Sequence, residues 1–204
     1  QRSALGRLRY RQAADGRPAT RFAEARRQRS LRGRDLDPLI HIPLGMGKIH
    51  EHRLHDWGFD TEPEPNLANR KLKALRGKVL GGSSSINVMA YTRGHRGDYD
   101  RWARNGAHGW AYADCLPYFK RMENNTDVPD TVWRGHDGPL ELEKGPATNP
   151  LFAGFFRAAS QAGFHLTDDV NGYRQEGFAP FDRNIRHGRR VSSSGAYIKP
   201  VRKR

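Results

Sequence analysis

Three observations in this chain of 204 residues predict a mixed α/β fold. The stretch NPLFAGFFRAASQAGF (149–164) carries a full set of helix signals. Asn149 stands as N-cap, Pro150 at the first helical position and Gly163 near the C-terminus, with Leu151, Phe152, Phe155, Ala159 and Ala162 as its apolar positions. GPLELEKG (138–145) alternates with the period of a strand. RGKVLGGSSSINVMAYTRG (76–94) sets a glycine pair and three serines before an apolar run, as a chain does when it turns tightly or passes close to a bound group.

In chain order, residues 1–34 show neither helical nor strand periodicity. They contain eleven Arg, no Lys, and only Asp15 and Glu24 as acids, so disorder or a weak basic helix is expected. Leu36 to Gly47 is apolar and punctuated by Pro and Gly, and reads as an extended loop. DWGFDTEPEPNLANRK reads as a strand fragment around Trp57 and Phe59, then a polar loop with two prolines. Asp98–Asn105 is predicted as a helix capped by Asp98 and ending before Gly106. A second helix is predicted over Asp114–Asn124, with Leu116, Phe119 and Met122 on one face. NGYRQEGFAPFDRN and RHGRR suggest a turn, an extended stretch and a solvated turn. Ser192–Ser194 opens a final helix.

Composition excludes several classes. The net charge of +14 is concentrated in the first 34 residues, which carry +9; residues 35–204 form a mildly basic body of +5. No apolar run approaches the roughly 18 residues of a membrane-spanning helix. No signal peptide is visible. The single Cys115 excludes an internal disulfide framework, and a structural role is expected for it. His50, His52 and His55 are closely spaced, but no metal is expected on them. Trp102, Trp110, Tyr118 and Phe119 are expected in helix packing.

In the 76–94 stretch, glycine at 81 and 82 lets backbone approach a ligand without a Cβ clash. The N–H groups of Gly82, Ser83 and Ser84 can form an anion-binding concavity, with the serine hydroxyls as further donors and Asn87 able to donate and accept. No GK[ST] follows the glycine pair, so this is not a Walker A loop. By chemistry alone, cofactor contact and a tight turn remain equal readings.

Residue identity separates them. RGKVLGGSSSINVMAYTRGHRGDYDRWA (76–103) resembles the flavin-contacting signature of the glucose–methanol–choline (GMC) oxidoreductases, in texture nearest to their bacterial choline-oxidising branch. The resemblance continues through DWGFDTEPEPNL, LPYFKRMEN, GHDGPLELEKGPATNPLF, NGYRQEGFAPFD and GRRVSSSGAYIKP, from about residue 33 to 204. It implies a partial FAD-binding, Rossmann-like domain with the beginning of an α+β substrate domain over 35–204, preceded by a non-family arm at 1–34. It also implies oxidation of a small alcohol such as choline to the aldehyde, with hydride passing to FAD. By match, Val79, Gly81, Gly82 and Ser83 line the dinucleotide side, and Asn87, Val88, Met89 and Ala90 approach the flavin ring. Ile86 stands where some members carry a histidine bonded covalently to FAD, so the flavin is expected to be held non-covalently.

Two departures accompany the match. No G-x-G-x-x-G turn for the pyrophosphate is present, and the family's catalytic histidine region lies beyond VRKR. No catalytic residue is therefore assigned, and a fragment inactive by itself is expected. All-arginine basicity in residues 1–32 is what a GC-rich gene read out of frame would yield. Translating the upstream DNA in the other two frames checks that origin. A cytoplasmic or peripherally membrane-associated bacterial protein is expected, with an electron acceptor the sequence does not name. The competing reading is a basic module whose residues 1–34 bind nucleic acid or anionic lipid. With only Tyr10 and Phe22 to stack on bases, no nucleic acid partner is expected.

Overall fold

The computed structural model describes residues 37–202; the predicted arm at 1–34 lies outside them. Helix α1 (Pro38–His41) starts at an Asp–Pro pair, with the Asp37 carboxylate accepting the Leu39 N–H at 2.9 Å. Helix α2 (Gly45–Glu51) follows after a short turn. Of the extended loop expected over Leu36–Gly47, residues 38–41 and 45–47 are thus helical, with a turn between them. The Asp–Pro start signal outweighs the segment's Pro and Gly content, and Gly45 lets the Leu39 backbone lie where a Cβ would stand.

Asp37 also accepts from His55 Nε2 at 2.7 Å. Burial opposes its charge, but the His55 contact and the Leu39 N–H together hold the carboxyl below its usual range. A depressed carboxyl contributes stability above the unfolded-state value of about 3.9 and loses it as pH falls through the folded value. Asp37→Asn is therefore expected to lower the thermal midpoint at pH 7. The gap to the native chain should close toward pH 3, as read by circular dichroism melts.

Trp57 and Phe59 lie on one limb of an antiparallel ribbon bridged at Asp56–Gly77, Asp60–Lys73 and Glu64–Arg70. A 3-10 turn at Pro65–Leu67 lies between its limbs, and the Trp57 and Phe59 rings stack 6.3 Å apart. A further 3-10 turn, Gly82–Ser85, leads into strand β1 (Ala90–Tyr91).

Helix α3 (Arg96–Arg104) begins two residues before the expected start, because His95 caps it: its Nδ1 accepts the Gly97 N–H at 3.1 Å. Helix α4 (Tyr112–Met122) also starts early, with Asp114 in its first turn accepting the Ala111 N–H at 3.2 Å. Strands β2 (Glu123–Asn125) and β3 (Leu140–Lys144) follow, then helix α5 (Pro150–Gln161). The expected strand and the expected Asn149 cap are both present, Asn149 Oδ1 accepting the Leu151 N–H at 2.9 Å. Of the α5 residues only Ala159 is buried; Leu151, Phe152 and Phe155 remain exposed.

Strand β4 (Asp182–Arg183) completes a four-stranded mixed sheet of order β1-β4-β3-β2. In it β4 is antiparallel to both neighbours, while β2 runs parallel to β3. A separate hairpin, β5 (Ile185–Arg186) with β6 (Arg189–Arg190), turns at His187 and Gly188, both at positive φ, as a two-residue hairpin loop requires. A π-helical turn, Ser194–Ile198, follows the serine run as predicted.

The sheet closes over charge rather than hydrocarbon. Arg134, wholly buried, donates to Glu123 at 2.9 Å, to both Asp169 oxygens at 2.7 and 2.8 Å, and to Asp182 at 2.8 Å. Arg93 adds a second bond to Glu123 at 2.7 Å, and its own N–H is accepted by Asn171. These contacts join the start of β2, the loop before β3 and the start of β4. The apolar core lies elsewhere, in Ile40, Ile49 and Ile86 with Leu39, Leu54, Leu75 and Val79 around them. Trp102 and Trp110, expected in helix packing, stack edge to face on one another at 6.1 Å but stay half exposed, and Tyr118 is exposed under Arg121. Among the described residues no helix is long and apolar enough to cross a membrane.

Candidate functional site

The 77–90 loop rests on the isoleucine core. Ile86 is 2% exposed and packs into it, Val79 lies against it, and His50 Nε2 donates to the Ile86 carbonyl at 2.6 Å. Three glycines shape the loop's entry. Gly77 lies with its missing side chain against the Gly82 carbonyl, and Gly81 lies against the Ser85 hydroxyl in the same way. Their bareness serves contacts within the protein. Gly82 differs: it takes φ +57°, and nothing stands within 4 Å of where its Cβ would be. It is the glycine whose backbone is open to a visitor.

The serines divide as well. Ser84 Oγ donates to the Gly81 carbonyl at 2.6 Å and accepts from the Ser193 N–H at 2.8 Å, so it is spent inside the protein. Ser83 is exposed; its oxygen accepts the Gly77 N–H at 3.1 Å, and its proton has no acceptor among the described residues. Ser85 is buried with an unpartnered hydroxyl. Of the hydroxyls expected as further donors, Ser83's faces outward.

Beyond the turn, Asn87, Val88 and Ala90 are exposed, while Met89 is 5% exposed and turns inward at φ +64°. The eight residues singled out by sequence therefore lie on one loop in two sets. Gly82, Ser83, Asn87, Val88 and Ala90 form an open strip with donors at one end and methyl groups at the other. Val79, Gly81 and Met89 support it from behind. The half-exposed Leu80 widens the apolar part.

Arg190 is not among the site residues that the sequence singles out. RHGRR was expected to be a solvated turn, and Arg189 is exposed as that requires; Arg190, however, is 5% exposed. Its Nε donates to the Ile40 carbonyl at 2.8 Å. Its Nη1 donates to the Ser84 carbonyl at 3.2 Å and to both oxygens of Asn87 at 2.7 Å. Desolvation pushes its guanidinium down to about 10, which leaves it charged at neutral pH. The detectable signal was period two: in a hairpin strand, of two adjacent arginines one must face inward.

The clustered histidines go separate ways, His50 to Ile86 and His55 to Asp37, with His52 beside Glu51. Among the described residues no group of three or more His, Cys, Asp or Glu is placed to hold a metal. Burial first, and Asp114 second, push the Cys115 thiol above its usual value, away from thiolate reactivity.

Solved structures of the same fold place the chain among α/β oxidoreductases. An FAD-dependent oxidoreductase from Chaetomium thermophilum matches with a TM-score of 0.74 at 26% identity, over 83% of this chain and 31% of that one. Pyridoxine 4-oxidase from Mesorbium loti matches with a TM-score of 0.73 at 31% identity, over 79% of this chain and 32% of that one.

The chain belongs to the GMC oxidoreductase family, whose model matches residues 25–204. An oxygen-dependent choline dehydrogenase of Brucella anthropi is 53% identical over 170 residues, which is 83% of this chain and 31% of that protein. The Rhizobium etli protein of the same description is 49% identical over 202 residues, 99% of this chain and 36% of that protein. The chain thus spans about a third of the length of the curated relatives it matches.

Proposed function

We propose that this chain supplies the flavin-facing wall of an FAD-dependent oxidoreductase that acts on CH–OH donors, with a small alcohol such as choline as substrate. The observation that carries the reading is the open strip Gly82–Ser83–Asn87–Val88–Ala90, set within a segment half identical to choline dehydrogenases. A flat cofactor with polar edges needs bare backbone, outward donors and an apolar surface together, and this strip offers all three. Bound FAD would accept the hydride lost from the alcohol carbon. Around it, Gly82 admits close approach, Ser83 and Asn87 donate at its polar edge, and Val88 and Ala90 exclude water from its face. Val79, Gly81 and Met89 hold the strip in place. No catalytic base is assigned to this chain, so turnover of choline is not expected from it.

The flavin is held without a covalent bond. Ile86 is a hydrocarbon side chain in the core and offers no nucleophile. Titrating FAD into the purified chain should quench flavin fluorescence saturably, and acid precipitation should then release all of the flavin to the supernatant. Yellow protein that keeps its flavin after acid would contradict the non-covalent reading; absence of any quenching would contradict the wall itself.

A further inference from the structure

We propose that Arg190 is a positioning residue that locks the Asn87 amide, so that the open strip presents a hydrogen-bond donor and never an acceptor at this position. The inference rests on the flavin reading for its ligand, but the lock itself does not.

Asn87 Oδ1 accepts from Arg190 Nη1 at 2.7 Å and from the Met89 N–H at 3.0 Å. Both partners can only donate, so an amide turned the other way would set N–H groups against N–H groups. The orientation is therefore dictated by the network, and the Asn87 NH2 is left on the opposite, exposed side. It has no protein partner among the described residues. The same contact holds Met89 at its left-handed φ, which a non-glycine residue keeps only when its surroundings fix it.

Arg190 is suited to this task because it is over-supplied with charge. Buried guanidinium groups ordinarily meet carboxylates, as Arg134 does here with three. Among the described residues Arg190 bonds no carboxylate; its partners are the carbonyls of Ile40, Ser84 and Asn87 and the Asn87 side-chain oxygen. Such a cation draws the amide oxygen inward and polarises the amide, which strengthens its outward N–H groups as donors. A bound group with an acceptor at that edge, a ring nitrogen or carbonyl such as the isoalloxazine carries, is favoured over one presenting a donor. His187 and Arg189, the neighbours on the hairpin, are exposed and leave the buried contact to Arg190.

Two variants of the 204-residue chain test the lock. In Arg190→Lys, a single ammonium cannot serve all these acceptors. Hydrogen exchange at the Met89 amide, normalised to the buried Leu142, should quicken by about tenfold or more. Unchanged Met89 exchange overturns the lock. In Asn87→Asp the shape and the Arg190 contact are kept, while the outward donor becomes an oxygen. The unliganded variant should melt at or above the native temperature at pH 7, since Arg190 gains a carboxylate. That advantage should be lost as pH falls through the depressed pKa of the new carboxyl. FAD, titrated by fluorescence, should bind on the order of tenfold more weakly. A lower melting temperature at pH 7 overturns the inward orientation, and undiminished FAD affinity overturns the donor role. If the native chain binds no FAD, the flavin reading falls with the donor role that rests on it, and Met89 exchange decides the lock.

Discussion

Replacing Arg134 with methionine is expected to lower the unfolding free energy by about 3–5 kcal/mol, the usual cost of removing one partner from a buried ion cluster. The side chain is fully buried and bonds Glu123, Asp169 and Asp182 at once. Methionine fills much of the volume but leaves these three carboxylates with Arg93, bonded to Glu123, as their cation, and with the neutral donors Gly135 N–H and Asn171. Against a typical total of about 5–15 kcal/mol, such a loss removes much of the stability of the fold. Arg134→Lys should recover little, because one ammonium cannot reproduce the planar fork that reaches three carboxylates. Urea titration at pH 7 reads both variants. A midpoint displaced by less than the equivalent of about 0.5 kcal/mol, the range of ordinary surface changes, would show that the cluster is dispensable.

Gly77→Ala should be the most damaging single methyl in the loop. An added Cβ there lies against the Gly82 carbonyl and its carbon, backbone atoms that cannot rotate aside. Overpacking of this kind costs about 1–3 kcal/mol, and relief requires the Gly82–Ser85 turn to move. The Gly77 N–H bond to Ser83 at 3.1 Å would go with it. Flavin affinity should fall further than stability does, and Gly47→Ala, where nothing stands within 4 Å, provides the control on a neighbouring helix. Equal FAD affinity in the two variants would separate the turn from cofactor binding.

Local signals were legible where the residues that make an element are neighbours in sequence. Asn149–Pro150 opened α5 and LELEK formed β3 because cap and alternation are local chemistry. The start of α3 was misplaced because His95 is an uncommon cap, and Asp98 just after it carries the commoner cap signal. The helices at 38–41 and 45–51 carry little local signal because they are very short, four and seven residues, and are held by contacts to Ile86 and Arg190 far along the chain.

The site followed the same division. Its loop was visible in the glycine pair, yet which glycine is open depends on Ser85, Ser192 and the Gly82 carbonyl, which spacing cannot place. The partners of Arg190 and Arg134 were invisible for a deeper reason. Arginine is ordinarily a surface residue, and only the fold brings Asn87 within reach of one and Glu123, Asp169 and Asp182 within reach of the other.

Residue-resolved amide shifts during titration with FAD test the central claim most directly. The wall predicts saturable shifts at Gly82, Ser83, Val88 and Ala90 and at the Asn87 side-chain NH2, with residues 150–161 of α5 unmoved. Shifts confined to α5 or to the 56–77 ribbon, with the 82–90 strip silent, would contradict it.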